Sequence, residues 1–177
     1  MGKRSNFERN PRDYYPTPLS AVLPLMPHLE YGCSFIEPCA GNFALAGHLE
    51  SYGMSCVQAF DIHPMDGNVY NVYEDDALGD WTESDSADYI ITNPPWDVKI
   101  LHPMIERFSA LRPTWLLFGA DWMHTQQSRQ FLHLLDKVVS VGRVKWIPDS
   151  KSTGMDNAAW YLFDANHSGP TEFVGRV

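Results

Sequence analysis

The stretch that decides the fold covers residues 88–96 and reads Asp-Tyr-Ile-Ile-Thr-Asn-Pro-Pro-Trp. Its first five residues are mostly apolar and include β-branched side chains, which predicts a short buried strand. The two prolines forbid its continuation, because proline fixes its own φ and has no N–H to donate. Asn93 is therefore expected at the end of a strand, where it presents its carboxamide oxygen.

This strand end has the composition of a site for an amino group. The Asn93 carboxamide oxygen and the carbonyl of Pro94 are two neighbouring acceptors, and together they can hold both hydrogens of an amino group on a planar ring or an amide. Trp96 adds a flat face on which a ring can stack. The arrangement suits transfer of a methyl group to an amino nitrogen.

Strands and helices alternate on both sides of this stretch. Strands are predicted over residues 34–37, 56–62, 68–72, 88–92, 115–118, 138–146 and 158–163, and helices after Thr17 (as N-cap, with Pro18 at the first helical position) and over residues 43–52, 100–111 and 128–135. Such alternation predicts an α/β fold: a mostly parallel seven-stranded sheet with helices on both faces. The last two strands lack an intervening helix, so we expect an antiparallel hairpin at one edge of the sheet.

Composition limits the class of protein. A chain of 177 residues with 44% hydrophobic and 20% charged residues is typical of one globular domain, expected over residues 15–177 after a flexible arm at 1–14. Neither a membrane span nor a signal peptide is evident, which predicts a cytoplasmic protein. Three cysteines without a CxxC pair are interpreted as reduced thiols, and the seven histidines lack metal-ligand spacing, so no metal is predicted.

Net charge does not choose the partner. The chain carries −9, whereas nucleic-acid-binding proteins usually have a basic surface, because phosphate contacts supply most of their affinity. The positive residues cluster in the arm up to Arg12 and in the segment from Arg143 to Lys151, while much of the acidic excess lies between Glu74 and Asp88. A basic face and ordinary solvated surface charge both remain open.

A second candidate site follows the first predicted strand, where residues 37–43 read Glu-Pro-Cys-Ala-Gly-Asn-Phe. Gly41 permits close approach of a ligand to the backbone, and the start of the next helix offers free N–H donors. Asp61 ends the second strand about twenty residues later, where a carboxylate can accept from ribose hydroxyls. Asp76 is placed to accept from an adenine amino group, although a loop or capping role remains open for both aspartates. The run is not GxGxxG, which disfavours a nicotinamide cofactor.

Taken together, these motifs resemble the S-adenosylmethionine-dependent amino-group methyltransferases, in particular the N6-adenine DNA methyltransferases. Residues 37–42, Glu-Pro-Cys-Ala-Gly-Asn, resemble their first motif, and residues 93–96, Asn-Pro-Pro-Trp, match their catalytic tetrapeptide. Residues 15–18, Tyr-Pro-Thr-Pro, are similar to the element that closes over the methionine end of the cofactor. The order of these motifs is that of the gamma arrangement. The resemblance covers roughly residues 14–163 and looks closest to small phage or prophage enzymes, which act in the host cytoplasm.

The resemblance implies a Rossmann-like class I methyltransferase fold, S-adenosylmethionine as cofactor and adenine in DNA as acceptor. The residues implied as catalytic are Asn93, Pro94, Pro95 and Trp96. Those implied as cofactor-binding are Tyr15, Pro16, Thr17, Glu37, Pro38, Ala40, Gly41, Asn42, Phe43, Asp61, Ile62, Asp76, Ala77 and Asn93. Those predicted to bind the substrate are Trp96, Lys145, Lys151 and Ser152.

One departure from the family affects substrate choice. Larger members carry a separate target-recognition domain, for which this chain has no room. Recognition is then expected from loops, the N-terminal arm, a partner subunit or a second copy, with the loop at 143–157 as the candidate and a plain edge hairpin as its alternative. Three other functions stay open: an RNA adenine methyltransferase, a protein glutamine methyltransferase, and a non-catalytic S-adenosylmethionine-binding subunit.

Overall fold

The structure, a computed structural model, describes residues 15–65, 72–82, 86–148 and 153–176. Its strands are β1 (Ser34–Glu37), β2 (Ser55–Asp61), β3 (Tyr73–Glu74), β4 (Tyr89–Thr92), β5 (Thr114–Gly119), β6 (Leu135–Arg143), β7 (Asn157–Phe163) and β8 (Glu172–Val174). Its α-helices are α1 (Leu19–Val22), α2 (Ala44–Ser51) and α3 (Val98–Leu111). Short 3₁₀ segments cover Leu23–His28, Ala120–His124, Gln127–Gln130 and Leu132–Leu134.

The described strands form one eight-stranded sheet in the order β3-β2-β1-β4-β5-β7-β6-β8. β1 pairs in parallel with both β2 and β4, whereas β7 is antiparallel to both of its neighbours, β5 and β6. The strand order reverses between β1 and β4, so the carboxyl ends of β1, β2 and β4 meet at one edge. Open α/β sheets bind their ligands at such a reversal.

Both faces of the sheet are covered, because successive side chains of a strand point to opposite sides. Ile91 of β4 packs with the buried side chains of α1 and α2, while its neighbour Ile90 packs with those of α3. The burial of both faces explains why β4 reads as an unbroken apolar run. The predicted mostly parallel sheet with helices on both faces is confirmed.

The predicted number of strands was too low. The described residues form eight strands rather than seven, because Glu172–Val174 pairs in parallel with β6. This segment escaped prediction since only three residues pair and Phe173 is 63% exposed, so it lacks the apolar alternation of a buried strand. The antiparallel hairpin of β6 and β7 is present, but β8 lies outside it at the sheet edge.

Two predicted helices differ from those observed. Thr17 does not cap the first helix: Pro18 is the N-cap, and α1 gives way to 3₁₀ geometry at Leu23–His28, which contains Pro24 and Pro27. The helix predicted over 128–135 is replaced by 3₁₀ turns. There the buried Ser128 hydroxyl lies 2.8 Å from the carbonyl of Thr125, a local bond that competes with regular helix.

Some predictions fall outside the described residues. These are the N-terminal arm at 1–14, residues 68–71 of the predicted third strand, Lys151 and Ser152. Of that predicted strand, Val72 is described and is not in a strand, and β3 begins after it, at Tyr73. In the described part of the chain, no helix has the length and apolarity that crossing a membrane requires.

Candidate functional site

The turn after β1 is tied to the end of β2 by two hydrogen bonds. The Ala40 N–H donates to the Phe60 carbonyl at 2.9 Å, and the Gly41 N–H donates to Asp61 Oδ2 at 2.9 Å. Gly41 has a φ of +52°, a left-handed conformation that glycine adopts without steric cost. The sequence-predicted glycine turn and Asp61 are therefore in direct contact, 20 residues apart in the chain.

Phe43, expected as the first helical residue, precedes α2 as its N-cap and has a φ of +69°. A left-handed conformation costs a non-glycine residue about 1–2 kcal/mol, so the surrounding turn must hold it there. Its N–H donates to the Ala40 carbonyl at 2.7 Å, and its own carbonyl accepts from Gly47 N at 2.8 Å. The exposed Asn42 accepts from Ala44 N through Oδ1 at 3.2 Å. The turn thus enters the helix through a strained residue.

Glu37 lies at the end of β1 and is 2% exposed. Its Oε2 accepts from the Ala46 N–H at 3.0 Å, so the carboxyl satisfies a free donor in the first turn of α2. Burial raises the pKa of Glu37 well above its ordinary value; the hydrogen bond from Ala46 lowers the pKa and the charge of Asp61 raises it. Glu37 is therefore a buried acid that fixes the helix next to the glycine turn.

We expect Glu37→Gln to stabilise the protein increasingly as pH rises. The folded pKa of Glu37 lies above the unfolded one, so the wild-type folded state binds the proton more tightly. The free energy of unfolding of the wild-type protein then falls by about 1.4 kcal/mol per pH unit between the two pKa values and levels off above them. The glutamine cannot ionise and keeps an acceptor for Ala46. Denaturant unfolding of both proteins across this range checks the prediction, and a pH-independent difference would contradict it.

Asp61 continues the site along the sheet edge. Its Oδ1 accepts from His63 N at 2.8 Å, and its backbone carbonyl accepts from Asp75 N at 3.1 Å. Asp76 follows directly and is exposed, with Oδ1 accepting from Leu78 N at 2.9 Å. The other two residues predicted here differ in exposure: Ala77 is buried, whereas Ile62 is exposed. Asp61 ends β2 and Asp76 follows β3, which pairs with β2, so the two aspartates lie at the ends of neighbouring strands.

Asn93 follows β4 and is held by hydrogen bonds on both sides of its carboxamide. Its Nδ2 donates to Thr17 Oγ1 at 3.1 Å, and its Oδ1 accepts from Trp96 Nε1 at 3.4 Å. Because the indole nitrogen can only donate, the atom of Asn93 that faces it must be the oxygen. Thr17, 5% exposed, is therefore brought to the predicted catalytic residue from 76 positions away, and with it the segment 15–18.

Trp96 is half-buried beside Asn93 and is held at two points. Its Nε1 lies 3.2 Å from the Leu117 carbonyl of β5, in addition to its longer contact with Asn93. Its ring stands edge-on to Trp146, with centroids 5.8 Å apart at 84°. A Cβ on Gly119 would lie 3.7 Å from the Trp96 ring, so the end of β5 passes close beside it. Pro94 is buried and Pro95 half-buried.

The structure brings most of the described sequence-predicted residues to one edge of the sheet. The glycine turn, Asp61, Asp76, the 15–18 segment and Asn93 all lie at or next to the carboxyl ends of β1, β2, β3 and β4. Lys145 is exposed and precedes Trp146, so the 143–157 loop reaches the Trp96 side of the site. Sequence reasoning missed the hydrogen bond between Thr17 and Asn93. The order of the motifs along the chain was the only sequence feature that pointed to this contact.

Comparison with solved structures identifies the fold. A proposed RNA methyltransferase from Pyrococcus horikoshii superposes with a TM-score of 0.60 at 16% identity, covering 88% of this chain and 91% of that one. A proposed class I S-adenosylmethionine-dependent methyltransferase from Listeria monocytogenes gives a TM-score of 0.61 at 9% identity, covering 89% and 62%. The chain has the class I methyltransferase fold. This confirms the predicted fold class.

A third similar structure is the methyltransferase subunit of a type I restriction-modification system from Streptococcus thermophilus. It has a TM-score of 0.59 at 10% identity, and the superposition covers 91% of this chain. This chain spans only 47% of that subunit. The sequence matches no protein-family model and no curated protein.

Proposed function

We propose that this protein transfers the methyl group of S-adenosylmethionine to the N6 amino group of adenine in DNA. The observation that carries the proposal is the oriented carboxamide of Asn93. Its oxygen stands at the end of β4, between Trp96 and the segment at 15–18, on the sheet edge that also holds the glycine turn. The methyltransferase subunit of the restriction-modification system shares this fold, and this similarity supports nucleic acid as the class of substrate.

The residues of the first strand ends fit this cofactor. The Gly41 turn allows close backbone approach, and the Asp61 carboxylate retains lone pairs for ribose hydroxyls besides the two N–H groups it already accepts. Asp76 is exposed for contact with an adenine amino group. S-adenosylmethionine supplies the methyl group on a positively charged sulfur, and so already activated. The chain therefore has to position the cofactor rather than activate it.

Asn93 and Pro94 act on the acceptor. The lone pair of an adenine amino nitrogen is delocalised into the ring, which makes it a poor nucleophile. Acceptance of its two N–H groups by Asn93 Oδ1 and the Pro94 carbonyl favours tetrahedral nitrogen and stabilises the positive charge that develops as the N–C bond forms and the C–S bond breaks. Each charge-assisted bond contributes about 1.5–3 kcal/mol. Asn93 Oδ1 has a second lone pair beside its long contact with Trp96.

The target base has to leave the stack to reach this edge. A base inside a duplex cannot approach the carboxamide, so it is flipped out or arrives single-stranded. Trp96 offers a face for stacking, and the substrate strand is expected to continue past Lys145, Lys151 and Ser152.

The paired variants Trp96→Ala and Trp96→Phe test the stacking role. The alanine variant is expected to weaken binding of the acceptor by about 5- to 150-fold, because stacking is worth about 1–3 kcal/mol per base. The phenylalanine variant keeps a ring and is expected to recover most of that loss, although it lacks the N–H that reaches Leu117. The measurement is KM for an adenine oligonucleotide at saturating cofactor. Equal losses in both variants would contradict stacking.

A protein acceptor is the second candidate function, and the net charge of −9 favours it. A glutamine side-chain amide offers the same two N–H groups to Asn93 and Pro94, and a protein acceptor needs no basic surface. RNA adenine stays a third possibility, since an exposed single-stranded base presents the same edge in RNA. A subunit that binds the cofactor without catalysis would need neither the Asn93 oxygen nor the Pro94 carbonyl to be placed for an amino group.

Transfer of a labelled methyl group from S-adenosylmethionine to unmodified DNA tests the proposal. Digestion to nucleosides is expected to release labelled N6-methyladenine, in single-stranded and duplex substrates. Parallel reactions with RNA and with a protein extract separate the other acceptors. If the chain binds the cofactor and labels RNA or glutamine but not DNA, the proposal is wrong in its acceptor; if it binds and labels nothing, it is wrong in its activity.

A further inference from the structure

A cleft opens on the same sheet edge as the candidate site, beyond β5. Its volume is about 310 Å³, and its wall is built by the 3₁₀ segment after β5, the ends of β6 and β7 that lie at this edge, and β8 with the residues after it. The hydroxyl of Tyr161 lies 3.1 Å from the Gly119 carbonyl and 3.0 Å from that of Ala120, which fixes the chain where the cleft begins. Asn157, the last residue of the loop predicted from sequence to serve recognition, lines this cleft.

The cleft is lined by several polar side chains without hydrogen-bond partners in the described part of the chain. Asp121, His124, Asn157 and Arg176 all line it, and none makes a side-chain hydrogen bond or ion pair within the described residues. Most side-chain polar groups on a folded surface bond to water or backbone, so exposure alone is ordinary. Convergence of several such groups on one concave site is the feature of a ligand site.

Arg176 lines this cleft next to Gly142 of β6. The pairing of β6 with β7 shifts register between Ser140 and Gly142, and Gly142 has a φ of +84°. A Cβ at Gly142 would lie 2.8 Å from Arg176 Nη1, so a larger residue there would displace the guanidinium from its present place. The guanidinium of Arg176 thus lies against Gly142 of β6 at the wall of the cleft.

β8 contributes an aromatic face. Phe173 lines the cleft and is 63% exposed, whereas the phenylalanines of β5 and β7 are buried. An exposed aromatic ring beside an arginine and an amide is the combination that holds single-stranded nucleic acid, in which the ring stacks on a base and the guanidinium contacts phosphate. The carboxylate of Asp121 and the amide of Asn157 offer acceptors and donors for a base edge.

The cleft lies within reach of a strand whose target base is at Asn93. Gly119 borders the Trp96 ring, and Ala120, the next residue, lines the cleft. Neighbouring strands are about 4.8 Å apart, and β8, which carries Phe173, is the fourth strand from β4. The two strands are therefore about 19 Å apart, equivalent to about five or six nucleotides of a stacked strand.

We propose that this cleft binds one nucleotide of the substrate strand about five or six positions from the target adenine, with its base on Phe173 and its phosphate at Arg176. The inference rests on the proposed function. It assigns to β8 and the residues around it the recognition that larger methyltransferases assign to a separate domain. The contact with a base edge through Asn157 and Asp121 would make this position selective.

The test is a scan of abasic positions in single-stranded DNA that carries one adenine in a thymine tract. Binding to the full chain is measured by fluorescence anisotropy. An abasic residue at one position is expected to weaken wild-type binding about 5- to 150-fold. Phe173→Ala is expected to lose that sensitivity while binding the intact strand more weakly by the same factor. Tyr31→Ala removes a ring that is 88% exposed next to the opposite end of β1, and is expected to behave as wild type. Arg176→Ala should reduce the salt slope of binding by about 0.7.

The outcomes separate this inference from the proposed function. Loss of the position dependence in Phe173→Ala supports the cleft, whether or not the adenine is methylated. A position dependence that survives in Phe173→Ala, its absence in the wild type, or failure of the wild type to bind the strand overturns it. Methyl transfer to the adenine of the same strands is scored separately, and its absence overturns only the proposed function.

Discussion

Asn93→Ala is expected to lower the rate of methyl transfer to adenine by about 100- to 1000-fold at saturating cofactor. The substitution removes the acceptor that stabilises the charge developing on the amino nitrogen, and loss of one such preorganised group typically has an effect of this size. Affinity for S-adenosylmethionine should change little, because the Gly41 turn and Asp61 stay in contact. Single-turnover transfer of a labelled methyl group gives the rate, and calorimetric titration gives the affinity.

Asn166→Ala is the matched control. Asn166 is exposed in the loop after β7, near the sheet end opposite to the site, and its removal should leave both quantities unchanged. A second variant, Asn93→Asp, keeps acceptor oxygens but loses the N–H that reaches Thr17, so it separates the acceptor role from the anchoring contact. If Asn93→Ala weakens cofactor binding but turns over normally once saturated, Asn93 is a cofactor ligand and not the acceptor of the amino group.

The features of the site that were predictable are those encoded in short segments. A buried apolar run stopped by two prolines places Asn93 at a strand end whatever the tertiary context. A glycine turn between a strand and a helix, followed by an aspartate at the next strand end, likewise places Asp61 beside Gly41, and the two are hydrogen-bonded. Their meeting at one edge follows from parallel strands, because their carboxyl ends necessarily share that edge.

What sequence reasoning missed depends on contacts between distant segments. Threonine is a common N-cap residue, yet the hydroxyl of Thr17 accepts a hydrogen bond from the carboxamide of Asn93, 76 residues later in the chain. Phe43 is expected to begin a helix, whereas the turn holds it at positive φ. The cleft beyond β5 is lined by residues that lie between Ala120 and Arg176 in the sequence, and its strand β8 is only three residues long. No local sequence pattern therefore predicts the cleft. Propensity and periodicity are local properties, and tertiary packing overrides them at these places.

Asp61→Ala is expected to weaken S-adenosylmethionine binding by about 100-fold or more. Two charge-assisted hydrogen bonds to the ribose hydroxyls would be lost, each worth about 1.5–3 kcal/mol. The N–H groups of Gly41 and His63 would also lose their acceptor, which should lower the free energy of unfolding by about 1–3 kcal/mol and loosen the turn. Calorimetric titration measures the affinity, and the melting temperature with and without cofactor checks it independently.

Two further variants separate the direct contact from the loosened turn. Asp61→Asn keeps an oxygen for the Gly41 N–H but loses the charge, so it should recover most of the stability and only part of the affinity. Asp80→Ala removes the same charge from an exposed position where no contact with the cofactor is predicted, and this variant should bind the cofactor as the wild type does. If Asp61→Asn recovers the affinity as fully as the stability, the turn alone explains the effect, and Asp61 orders Gly41 without touching the ribose. Unchanged affinity in Asp61→Ala would place the cofactor elsewhere along the sheet edge.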